Sequence, residues 1–165
     1  MKTELDDIDF KLLSLLEEDG RMSHVALGKE VGLTGPSVYA RVQRLERDGV
    51  IRRYTALLDA AAIGQELLAF VRVTTGSESD RSRQAEFEYF ILGEPQILEA
   101  HDVDGEDSCV LKVRTASPQA LRELLATLRA FPFVTRTITS IALETIKERG
   151  LTGPIRGRNN AEPSF

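Results

Sequence analysis

Arginines at 41, 44 and 47 recur every third position in Leu33–Asp48, a segment that also carries Ser37, Tyr39 and Ala40. A guanidinium presents paired donors that match guanine or a phosphate, and small side chains let a helix approach a base edge closely. Arg44 is expected to reach guanine or a phosphate, and Ala40 to allow close approach or to touch a thymine methyl. Ser37 shares that face. Tyr39 lies off the central stripe and suits a phosphate contact or packing. Arg41, on the flank, suits a phosphate, or a nearby acid that it would brace. Thr34 has the chemistry of an N-cap and Pro36 stands in the first turn, where its missing N–H costs nothing. Val38, Val42 and Leu45 follow at helical spacing, so one stripe is apolar and the polar one is left free to lie in a DNA groove.

That helix needs a scaffold, and the preceding residues describe one. Leu5, Ile8, Leu12, Leu15 and Leu16 form a helical stripe over about Asp6–Glu18, with acids at its positive end and Asp19-Gly20 as the stop. Ser23 caps a short second helix, His24–Val31, with Leu27 and Val31 facing inward and Gly32 supplying the turn. His24 falls in that helix's exposed first turn. Three short helices, the last two joined by a tight glycine turn, are a helix-turn-helix layout. Val50–Leu58 reads as a strand carrying Arg52 and Arg53, either a basic wing beside the groove or an ordinary solvated strand end. Asp59–Gly64 is small and turn-prone, a linker.

The second half alternates differently. Glu66–Thr75 is a strand, Gly76–Asp80 a polar loop and Arg81–Leu92 a helix broken by Gly93-Glu94-Pro95. Gln96–Asp104 and Ser108–Thr115 are strands around a turn at Gly105-Glu106-Asp107. Ser117 caps a helix to about Ala130, and Phe133–Ile146 is a long last strand. The order βαββαβ is the ferredoxin-like arrangement, whose helices cover one sheet face and leave the other for a partner. A second copy is the simplest partner, so a homodimer is expected. The fold class is thus α+β, a winged helix-turn-helix domain joined to a ferredoxin-like domain. Its parts are residues 1–54, a strand or linker at 55–65, the second domain at 66–148, and a tail at 149–165 whose Gly, Pro, Asn and Arg content makes it flexible.

Composition narrows the function classes. Of 165 residues 42% are hydrophobic and 28% charged, ordinary for a soluble domain pair. No apolar run approaches the roughly 20 residues of a membrane span, so no membrane partner is expected and the location is read as cytoplasmic. Cys109 is alone and only His24 and His101 supply imidazoles, so no metal site, disulfide or cofactor is expected. Cys109 reads as a small buried apolar residue, and His101 as a strand residue in an interface rather than a catalytic base. The net charge of −5 is uneven: residues 21–54 carry seven basic and three acidic side chains, residues 59–144 eight basic and fourteen acidic. A basic patch on an acidic body is compatible with duplex DNA, because phosphate attraction acts over about 8–10 Å.

The run LDDID, then Arg21, then VGLTGPSVYARVQRLERDGVIRRYTALLD and Ile63-Gly64, resembles the Lrp/AsnC (feast/famine) transcription regulators, with looser similarity to Lys147. The resemblance implies a RAM-type second domain, dimers that assemble to tetramers or octamers, and a small-molecule effector, often an amino acid, held between dimers. The signature loop of that family reads Gly, acid, any residue, Asp; here it is Gly105-Glu106-Asp107-Ser108, so the last aspartate is a serine. Asp107 stands one position early and would point to the opposite face of a strand. Thr137, Thr139 and Ser140 match the family's hydroxyl-rich final strand and would serve a ligand; by composition alone they are equally β-formers. The alternatives are an architectural DNA-binding protein that ignores ligands, and an enzyme resembling the sirohaem decarboxylases of the same scaffold, for which acidic Glu99–Cys109 is a poor match.

Overall fold

The computed structural model describes residues 4–76 and 81–148, so the tail expected beyond residue 148 and most of the loop at 76–80 lie outside the described residues. The described residues divide into two compact units, one running to Leu57, the other Leu58–Ile146.

The first unit holds α1 (Asp7–Glu18), α2 (His24–Val31) and α3 (Gly35–Arg47). Each begins as its sequence dictates. Asp6 and Asp9 form a reciprocal capping box on α1, Ser23 accepts from Ala26 N–H on α2, and Thr34 accepts from Ser37 N–H on α3. Leu12, Leu27, Val38 and Val42 make the buried centre, with Ile8, Leu15, Leu16 and Ile51 against it. A fully buried Leu contributes about 1.5–3 kcal/mol, so these few side chains hold three short helices that would not persist alone. The α2–α3 turn is tight because of two glycines. Gly32 takes φ +71°, and a Cβ on Gly28 would stand 2.4 Å from the Leu33 carbonyl oxygen.

The strand expected at Val50–Leu58 does not form. Val50 and Ile51 donate their N–H groups to the Leu45 carbonyl, and residues 52–58 run on without a ladder partner. This unit contains no strand among the described residues, and β-propensity without a neighbour to pair with makes no sheet. Arg52 and Arg53 are therefore exposed on an extended segment rather than on a wing strand.

The second unit runs β1 (Leu67–Thr75), α4 (Arg81–Gly93), β2 (Ile97–Asp102), β3 (Cys109–Thr115), α5 (Pro118–Arg129) and β4 (Val134–Ile141), the expected βαββαβ order. The strands form one antiparallel sheet ordered β2-β3-β1-β4. Ala69, Val71, Val73, Leu111 and Val113 point to the helices and meet Phe87, Leu121, Leu124, Leu128 and Phe133. The last strand stops at Ile141, short of the expected Ile146; beyond it Leu143 and Ile146 are almost fully exposed. The opposite face, with Phe70, Arg72, Val110, Lys112, Ile138 and Ser140 in alternating register, carries no helix of its own among the described residues.

Candidate nucleic-acid interface and effector domain

On α3 the buried positions are Val38, Val42 and Leu45. With about 100° between successive residues, the directly opposite positions are Pro36, Ala40 and Arg47, flanked by Ser37 and Arg44 on one side and by Gln43 and Tyr39 on the other. Pro36, Ser37, Tyr39, Ala40, Gln43 and Arg47 are all exposed. Thr34, also exposed, shares a 2.8 Å hydroxyl contact with Ser37. The Tyr39 ring stands edge-on to His24 at 5.4 Å; His24 sits in the first turn of α2 as expected but is half-buried rather than exposed.

The two inner arginines are engaged elsewhere. Arg41 donates to Asp6 at 2.7 Å and to Asp9 at 2.9 Å. Arg44 donates to the other Asp9 oxygen through Nη2. Asp9 is fully buried, so its carboxylate is desolvated and held by guanidinium donors and by the Asp6 N–H at 3.1 Å. The backbone N–H of Asp9 on the Asp6 carboxyl, helped by Arg41, holds Asp6 below the usual carboxylate range; the two carboxylates push Arg41 higher still. Of the two roles open to Arg41, the geometry shows the bracing contact. Arg44 lies in the same network, with its side chain 35% exposed. Nothing in composition distinguishes Asp9 from an ordinary first-turn acid; only its burial makes it a clamp.

Gln43, which arginine spacing does not single out, donates from Nε2 to Glu46 at 2.9 Å, and Glu46 accepts on its other oxygen from the Tyr54 hydroxyl at 2.9 Å. Burial first, then the Glu46 carboxylate, pushes the Tyr54 phenol up to about 12.

In the second unit the expected effector residues fall on two faces. Gly105 turns the hairpin at φ +142° and Glu106 is exposed. Asp107 faces the helix-free side, where it accepts from Arg72 at 3.3 Å and Thr74 at 3.4 Å, with Arg136 at 3.8 Å. Ser108 faces the helices: its hydroxyl accepts from the Thr75 N–H at 3.0 Å and meets the Thr75 hydroxyl at 2.9 Å. Thr137 and Thr139, paired with Val73 and Val71, share the helix side, whereas Ser140, opposite Phe70, does not. Arg129 donates to the Thr137 hydroxyl at 2.8 Å, and the Thr139 hydroxyl is buried without a hydrogen-bond partner. A cavity of about 310 Å³ opens between α4 and the sheet, lined in part by Ser108, Thr75, Phe87, Glu88, Asp102 and Cys109. Burial pushes the Cys109 thiol up, as suits a small packed side chain. On the other face Lys112 reaches Glu99 at 3.0 Å and holds its carboxyl low, with His101 at 3.4 Å adding to it.

Residues 5–46 match the AsnC-type helix-turn-helix domain, and residues 68–152 the Lrp/AsnC ligand binding domain. The chain belongs to the Lrp/AsnC family. It is a transcriptional regulator by that membership, with a helix-turn-helix domain ahead of a ligand-binding one. It is 39% identical over 149 residues to the leucine-responsive regulatory protein of Escherichia coli, covering 88% of each chain. An AsnC family regulator from Agrobacterium tumefaciens superposes with a TM-score of 0.84 at 28% identity, covering 90% of this chain and 97% of that one. A transcriptional regulator of Neisseria meningitidis, solved as a complex with L-methionine, gives 0.83 at 28% identity over 88% and 94% of the two chains.

Proposed function

We propose that this Lrp/AsnC regulator grips duplex DNA through α3 and the basic residues around it, as an oligomer whose state responds to an amino-acid-type effector. The carrying observation is the uncovered stripe of α3, small at Ser37 and Ala40 and basic at Arg47, on a three-helix scaffold with Thr34, Arg52 and Arg53 exposed nearby. In this reading Ser37 meets a base edge or a phosphate and Tyr39 a phosphate, with Arg52 and Arg53 adding charge. Arg41 supports the interface from behind. Arg44, held to Asp9 through Nη2 with its side chain 35% exposed, keeps further guanidinium donors that a phosphate can meet.

Pairing through the helix-free sheet face would join two such helical units in one molecule, each able to take one half-site of a duplex. Leu68, Phe70, Val110 and Ile138 supply its apolar centre, and Arg72, Lys112 and Asp107 the charges that fix register. Larger assemblies of such dimers follow the family pattern. The relative solved with L-methionine supports an amino-acid effector. In this chain the helix-side set Ser108, Thr137 and Thr139 is its candidate contact, with Gly105 and Glu106 at the rim. Asp107 and Ser140 serve the opposite face. The protein acts by binding, by differential affinity of the effector for one assembly over another, and not by catalysis.

The test is fluorescence anisotropy on duplexes selected from the host genome, across salt and with L-methionine or L-leucine present. About six phosphate contacts per dimer give a loss of roughly a thousandfold between 50 and 200 mM salt. Salt-independent or absent binding refutes the interface. A binding curve and sedimentation profile that no amino acid shifts refute the effector.

A further inference from the structure

We propose that Gln43 is a base-reading residue of α3, specific for an adenine in the major groove, and that Glu46 and Tyr54 position it. The proposal rests on the DNA-binding reading above and adds a contact that arginine spacing does not point to. Four observations lead to it.

Gln43 projects from the exposed side of α3, about 130° around the axis from the centre of Val38, Val42 and Leu45, and so flanks Ala40 and Arg47 as Arg44 does on the other side. The arginines at 41 and 44, which otherwise dominate this segment, give part of their donor set to Asp9 and Asp6, which fixes where their side chains lie. The Gln43 amide is held: Nε2 donates to one Glu46 oxygen at 2.9 Å, while the Tyr54 hydroxyl donates to the other at 2.9 Å. Tyr54 comes from the segment just after α3, so the relay ties the amide to backbone outside the helix. Lastly, the bond to Glu46 uses one of the two amide N–H donors. One N–H and the carbonyl oxygen remain, the pair that matches adenine N7 and N6. Fixing the amide in advance reduces the rotamer freedom that binding would otherwise remove.

Glu46 also settles which base is favoured. Its carboxylate lies beside the amide and disfavours further acceptors there, so a guanine edge, with two acceptors, is the worse match. Arg47, one residue on and 74% exposed at its side chain, meets a phosphate.

The experiment is selection from a randomised duplex library by the full-length protein, with Gln43→Ala and Tyr54→Phe run alongside. Wild type is expected to enrich an A·T pair at one position of each half-site. Gln43→Ala loses that preference by roughly tenfold at that position only, while its salt slope stays at the wild-type value. Tyr54→Phe, compared with wild type at a temperature where both are folded, shows a weaker preference for the same base. Three results overturn the proposal: Gln43→Ala selecting the wild-type site with undiminished discrimination, Gln43→Ala losing affinity equally for all sequences, or Tyr54→Phe leaving the preference intact. Wild-type protein that binds no duplex would instead overturn the DNA-binding reading itself, a distinguishable failure.

Discussion

Replacing Asp9 by Asn removes one charge and changes almost nothing in volume, so its effect isolates the clamp. Asp9 is fully buried and receives Arg41, Arg44 and the Asp6 N–H. Removing one partner of a buried ion pair costs about 3–5 kcal/mol, because the other charge is left without compensation. Here the arginine side chains are 27% and 35% exposed and can turn partly to water, and the asparagine carbonyl still accepts one donor. The expected loss therefore sits at the low end, about 3 kcal/mol. For a domain of 60–100 residues each kcal/mol moves the midpoint by about 4–8 °C, so the helical unit should melt at least about 12 °C earlier. Scanning calorimetry of the full chain, with hydrogen exchange of the α1 and α3 amides, reads this directly. The freed guanidiniums should at the same time steepen the salt dependence of DNA binding. A midpoint within about 3 °C of wild type, less than 1 kcal/mol by the same conversion, would refute the clamp and return both arginines to the groove.

Gly28→Ala should destabilise the helix-turn-helix by about 1–3 kcal/mol, since the new Cβ would meet the Leu33 backbone oxygen at 2.4 Å; an unchanged urea midpoint refutes this. The raised Tyr54 pKa adds stability that is complete below pH 10 and lost as pH climbs through about 12. The tyrosinate absorbance that Tyr54→Phe removes should accordingly rise only near pH 12, and Glu46→Gln should move it lower, burial keeping part of the rise. A Tyr54 transition that Glu46→Gln leaves in place would refute the Glu46 contact.

Local chemistry was enough for a good deal of this protein. The caps at Ser23, Thr34 and Ser117, the stop at Gly32, the apolar stripe of α3 and the βαββαβ order are all short-range patterns, each carried by a side chain that acts within one turn or one strand of itself. The LDDID and VGLTGPSVYARVQRLERD runs carried the family resemblance for the same reason. What distant parts of the chain do to one another was decided by the tertiary structure. Val50–Leu58 has strand-forming residues but finds no ladder, because pairing is a property of two segments. That Asp107 and Ser108 point to opposite sides follows from alternation along the chain, but their partners, Arg72 and Thr74 for one and Thr75 for the other, come from β1. Read along the chain, Arg41 is open to a phosphate or to an acid and Arg44 to the groove; Asp9, more than thirty residues earlier, binds both. A buried carboxylate must find positive partners wherever packing puts them, and in doing so it leaves Gln43 and Arg47 as the side chains that face outward.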